Sequence, residues 1–320
     1  MLPLFTIGIG AGLVSALLFA VVTTGSPLAV VLSAVAPLPI FIAALGWRHV
    51  AGLVAVAAGA VAIAAAFRVS TGLAFALGWG LPAWWIAYLA LLGAQRADGS
   101  LDWYPLGRLL AWIVIVVTAM IVLGAVMLGG GEVEGYRTLI RRALRLMLPV
   151  RQGDSTIGAE LDDATLDAVG LLLPFGAAAS FVMLFSANLW LAAKAVHLSQ
   201  RLPRPWPSIP DASLPKAVLG MLVAGVALAF APGFLGVLGT ALCGGLVMAF
   251  ALSGLAFMHA VTRGRPNRAF LLSATYFVAL LVGNVGLPAL AILGLADTAA
   301  NLRRRIRPAD AGPRPNPPQT

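Results

Sequence analysis

The chain has 320 residues, 60% of them hydrophobic and 10% charged, with 21 Lys and Arg, 12 Asp and Glu, three His and one Cys. Soluble domains carry about 25% charged residues, so a water-soluble globular fold is excluded. The lone cysteine, Cys243, builds neither a disulfide framework nor a cysteine metal site. The net charge of +9 sits in short loops and a tail beside apolar runs, where cations set topology and meet anionic lipid, and does not point to nucleic acid.

Several apolar runs reach about 18 residues, enough to cross roughly 30 Å of hydrocarbon. Backbone groups in lipid must be bonded within their own segment, so these runs are helices, and no period-two alternation argues for a barrel. The expectation is an all-α, polytopic transmembrane helical bundle. It has about eight to ten spans, depending on how the C-terminal stretch is broken. One integral membrane domain covers 1–307, with an extramembrane loop at 132–167, and 308–320 is a disordered tail by composition.

Met1 to Thr24 lacks a basic leader and a small-residue cleavage site and reads as span one. Gly8, Gly12, Ala16 and Ala20 recur every four residues along one face, which lets a second helix approach closely, either a partner's or one of this chain. Span two, near Pro27–Leu45, holds Pro37 and Pro39 and should break at mid-membrane. Arg48 and His49 close it, and the Ala- and Gly-rich span three runs from Val50 to Phe67. Span four, Gly72–Gly93, carries Trp79, Trp84, Trp85 and Tyr88 around Pro82, either an interfacial belt or the wall of a pocket for a flat ligand.

A polar loop precedes span five, Leu109–Leu128. Beyond it, Arg137, Arg141, Arg142 and Arg145 fall on one side of a helix and Tyr136, Ile140, Ala143, Leu144 and Met147 on the other, the pattern of an amphipathic helix lying on a membrane. Asp154, Glu160, Asp162, Asp163 and Asp167 follow and read as solvated. Span six, from Val169 to about His197, carries Asn188, Lys194 and His197, and the sequence RLPRPWPSIP after it is an extended loop. Spans seven (Leu214–Ala231) and eight (Gly233–Val261) meet at Pro232-Gly233, a turn.

The last stretch, Ala269–Asn301, is interrupted by GNVGLP and reads as one long span or a hairpin. Loops after spans two, four, six and eight, counted with Lys194 and Lys216 at the adjoining span ends, hold ten basic residues against three acidic, whereas the opposite loops hold six against seven. The positive-inside rule then places the N-terminus in the cytoplasm, and a hairpin returns Arg303, Arg304, Arg305 and Arg307 to the same side.

Catalytic motifs are missing from the sequence. There is no HExxH, no GxSxG and no Walker lysine, so neither an enzyme nor a cofactor or metal site is expected. Polar groups at membrane depth remain. Asn188 and Asn284, with Trp84 and Trp85, are the candidate ligand-binding residues, the alternative for the asparagines being interhelical hydrogen bonding. Lys194, His197, Arg204, His259 and Asp297 form a candidate polar cluster on the cytoplasmic side.

NLWLAAKAV at 188–196, RPWP at 204–207, SGLAFMHAVTRG at 253–264 and LGLADTAANLRRR at 293–305 resemble the YybS-like bacterial membrane proteins. That family is grouped loosely with the substrate-binding S-components of energy-coupling-factor transporters and with the rod-shape protein MreD. The resemblance implies an inner-membrane protein in contact with lipid, with Gly8, Gly12, Ala16 and Ala20 similar to the face by which S-components dock a coupling subunit. It implies a small-solute binding or transport subunit served by separate ATPases. The alternative is a non-catalytic envelope or division scaffold.

Overall fold

A computed structural model describes residues 2–147, 151–152, 155–156, 162–208, 210, 212–281 and 283–303. Among them the chain is a helical bundle, as its composition demands. Seven helical segments are long and apolar enough to span a bilayer: Leu2–Thr24, Pro27–Trp47, His49–Ala66, Val69–Ala90, Leu106–Leu128, Asp163–Leu198 and Phe234–Val261.

The first of these is α1 (Leu2–Ala20) with a closing 3-10 turn. The second is broken into α2 (Pro27–Ala34) and α3 (Leu38–Trp47), because Pro37 and Pro39 cannot donate to the preceding turn. Next comes α4 (His49–Ala66), joined to α3 through Arg48 alone, whose φ of 75° and ψ of 152° lie where side chains are strained. The following span is α5 (Val69–Phe75) and α6 (Leu81–Ala90), linked by one wide π turn at Ala76–Gly80 just before Pro82. A short hairpin, β1 (Gly93–Gln95) with β2 (Leu101–Trp103), turns at Asp98-Gly99 and leads into α7 (Leu106–Leu128).

On the far side of the bundle α8 (Val133–Met147) follows a glycine turn in which Gly130 and Gly131 both have positive φ. After a two-residue pairing of β3 (Arg151–Gln152) with β4 (Ser155–Thr156) comes α9 (Asp163–Leu198). Its 36 residues extend about 54 Å, well beyond the roughly 30 Å of hydrocarbon, so its N-terminal turns stand clear to meet α8. The stretch after α9 is extended, as its prolines dictate, and runs into α10 (Ala217–Ala229). The expected seventh span is thus a helix of 13 residues, about 20 Å long. It turns at Gly233 into α11 (Phe234–Val261).

The C-terminal stretch is a hairpin of α12 (Arg268–Leu281) and α13 (Gly283–Ala300). Gly286 packs on Val278 and Ala279. In a continuous helix residues eight apart would be separated by about 12 Å, so the chain reverses between them. The core is the shared interior of α3, α4, α6, α7, α9 and α11, with Phe41, Phe75, Phe185 and Phe250 fully buried. Large apolar side chains on the outer faces of α1 and α12, such as Leu17, Phe270 and Leu280, are exposed for lipid to cover.

Gly8 and Gly12 face α4 of this same chain. A methyl group on Gly8 would lie 2.8 Å from the Ala51 carbonyl, and one on Gly12 would collide with the carbonyl of Ala55. Ala16 is buried and Ala20 partly buried against the core. The small-residue face expected to dock a partner is therefore filled internally. Its spacing specifies close approach without specifying whose helix approaches.

Candidate functional site

Asn188 lies at mid-depth beside the break in the second span. Where the prolines break the span, Ser33 and Val35 keep backbone donors from Ala36 and Leu38, and the carbonyls of Ala34 and Ala36 are left to side chains. Asn188 Nδ2 donates to the Ala34 carbonyl at 3.0 Å and to Leu184 at 2.9 Å, while Ser15 Oγ donates to Ala36 at 2.6 Å. Asn188 and Ser15 thus repair a broken helix, which is how prolines are tolerated in membrane spans. Of the expected ligand residues, Asn188 is not gathered with Trp84 and Trp85. Trp84 Nε1 donates to the His49 carbonyl at 3.1 Å, and Trp84 and Trp85 pack on Tyr88, away from the partners of Asn188. The side chain of Asn284 lies outside the described residues. Trp79 separates from the other aromatic residues across the π turn and packs with Phe19 and Phe181.

The expected cytoplasmic cluster falls into three places. In one part, the extended strap after α9 folds back so that each cation meets an indole. Lys194 lies 5.2 Å from the Trp206 ring, Arg201 4.7 Å from Trp47 and Arg204 5.8 Å from Trp103. His197 also packs on Trp206, and Arg204 donates to the Ala90 carbonyl at the end of α6 at 2.9 Å. Burial pushes the Arg204 guanidinium below its usual range. In a second part, Asp297 and Arg303 pair at 2.6 Å with side chains 3% and 14% exposed. Arg303 also donates to the carbonyls of Pro210, Ala212 and Ser253. His259 stands apart from both and meets Tyr276 at 2.9 Å. The sequence marks Arg303 only as a topology-setting charge, and its pairing with Asp297 across the helix end is what the structure adds.

The opposite face holds a cavity of about 180 Å³ beneath α8. Its lid side is Val133, Tyr136, Arg137 and Ile140, and its floor includes Pro174 and Gly236, both buried. Burial raises the Tyr136 phenol above its ordinary range. α8 does not rest on the bilayer alone. Arg141 makes a two-pronged contact with Asp167 at 2.6 and 2.9 Å, and Arg145 reaches Asp163 at 2.6 Å. Hydrogen bonding to Asp167 pushes Arg141 above its usual value. Asp163 and Asp167, expected to be solvated, are 63% and 39% exposed and in addition pair with the arginines of this lid. Asp162 caps α9 by accepting from the Thr165 N–H, and Asp154 and Glu160 lie outside the described residues.

Among the described residues no three His, Cys, Asp or Glu side chains come together as a metal site requires. The cavity offers mostly apolar wall with a few polar groups, the usual make-up of a small-molecule site, but below the roughly 300–1,000 Å³ of sites for larger ligands.

The sequence model of one family, described as predicted membrane protein (DUF2232), matches residues 13–298. The chain belongs to that family. Neither the curated proteins nor the solved structures contain a match.

Proposed function

We propose that this DUF2232 membrane protein is a solute-binding subunit that takes a small molecule into the cavity beneath α8 and has no ATPase of its own. The observation that carries the reading is that cavity, covered by α8, which follows the glycine turn at Gly130 and Gly131 and is held by ion pairs to α9. The resemblance to YybS-like proteins and S-components supports the same reading. The excess of basic residues on the strap face favours a bacterial inner-membrane placement with that face in the cytoplasm, so the cavity opens outward. Work would come from differential binding of the open and closed forms to a separate energy-coupling partner, and no covalent step is needed. Because Gly8 and Gly12 are occupied internally, that partner would dock on another face.

Native mass spectrometry of protein purified in gentle detergent tests this. A retained small molecule that disappears when Val237→Trp fills the cavity is expected, together with capture of an ATPase and its membrane subunit. Retention of no such molecule, with enrichment of wall-synthesis or division proteins, would overturn the proposal in favour of the scaffold.

A further inference from the structure

We infer that the cavity under α8 selects an amphiphile with one anionic head, the head held by Arg137 and Tyr136 and the apolar body lying against Ile140, Leu171, Pro174 and Val237. The inference rests on the solute-binding reading and names the class of solute. It follows from which polar groups around the cavity are already engaged. The Asp167 carboxylate is held by the two nitrogens of Arg141. The Thr240 hydroxyl donates to the Gly236 carbonyl at 2.8 Å. Arg137, in contrast, has only a loose approach of 3.8 Å to Glu134, an acid that also faces Arg141 at 3.3 Å. Among the described residues the Tyr136 hydroxyl makes no hydrogen bond.

The groups with spare hydrogen-bonding capacity are therefore a cation and a hydroxyl, both on α8, with Arg137 exposed and Tyr136 half-buried. A guanidinium prefers a planar oxyanion, which it can meet with two parallel bonds. The floor presents no free charge, since Pro174, Gly236 and Val237 are apolar and Asp167 is paired. A charge buried there would lack a partner. Polarity at the mouth and hydrocarbon at the base define the occupant's orientation. Because both donors ride on α8, the occupant's head would also draw the lid toward α9.

Such a ligand could be a free carboxylate or the end of an anionic lipid, and one assay separates them. Thr240→Cys in a Cys243→Ala background places a single thiol on the cavity wall, read by its rate of alkylation with a small maleimide. In nanodiscs of zwitterionic lipid, octanoate should slow labelling about tenfold, corresponding to about 1.4 kcal/mol of occupancy, while octanol and octylamine protect much less. Arg137→Gln should erase the difference between octanoate and octanol. Protection by phosphatidylglycerol discs without octanoate would support the same class and assign the source to lipid. Equal protection by the anion, the alcohol and the amine would overturn the anionic class and leave the solute-binding reading intact. Protection by none, in a variant shown to be monodisperse, would overturn both.

Discussion

On the basic face Arg303 commits its guanidinium to Asp297, to two strap carbonyls and to Ser253 at 14% exposure, whereas on the opposite face Arg141 and Arg145 hold α8 to α9 with side chains 22% and 52% exposed. Both faces are closed by arginine, but the closures differ in kind. A desolvated pair with every donor used is costly to open, because separating it leaves a charge without water. An exposed pair exchanges its partner for water and salt at little cost. The closure on the basic face is therefore the costlier of the two to break, and the Arg145–Asp163 pair the cheapest.

The largest effect should come from breaking the buried closure. Asp297→Ala leaves Arg303 without its counter-ion and should cost about 3–5 kcal/mol, read as the midpoint shift in a denaturing-detergent titration. An unchanged midpoint would remove the contrast between the two faces.

The close packing of α1 on α4 comes next. Gly12→Leu should force these helices apart at a cost of about 1–3 kcal/mol or more, in the range of overpacked cores. Gly10 is the internal control, since a Cβ there meets nothing within 4 Å, and Gly10→Leu should be close to silent. Equal behaviour of the two variants would return the Gly8 and Gly12 face to the role of a partner's docking surface. Asn188→Ala is smaller again. It removes one interhelical hydrogen bond at the proline break, to Ala34, and one within α9, to Leu184, and membrane interhelical bonds are worth about 0.6 kcal/mol on average and about 1.7 at most. A loss far above that range in the same titration would mean that Asn188 does more than mend α2.

These cases show how far residues alone could be read. Apolar runs and paired prolines dictate local backbone, so the helices, the break at Pro37 and Pro39 and the extended strap were legible. The β1–β2 hairpin has its signal in Asp98-Gly99, a dipeptide that suits a tight turn, although the polar stretch around it reads as a loop. Contacts between distant segments were not legible. Arginines at 141 and 145 looked like the wet face of a surface helix until α9 proved long enough to bring Asp163 and Asp167 beside them. Ala- and Gly-rich faces likewise state how near a neighbour can come and leave its identity open. The cavity follows from both facts, and no short motif announces it.

The gentlest perturbation addresses the openable face directly. With Thr240→Cys as reporter, Arg141→Gln combined with Arg145→Gln should raise the alkylation rate several-fold by releasing α8. The same rise should appear in the unsubstituted lid when salt is added, because the Debye length falls from about 10 Å at 0.1 M to about 3 Å at 1 M. Asp162 and Thr165 still cap α9 in both cases, so the docking platform itself persists. Salt should do little to the buried pair at Asp297 and Arg303, whose partners are shielded from the electrolyte. If labelling at Thr240→Cys is insensitive to both salt and the paired substitution, apolar contact by Tyr136, Ile140 and Leu144 holds α8 down. The two faces would then differ in composition without differing in how readily they open.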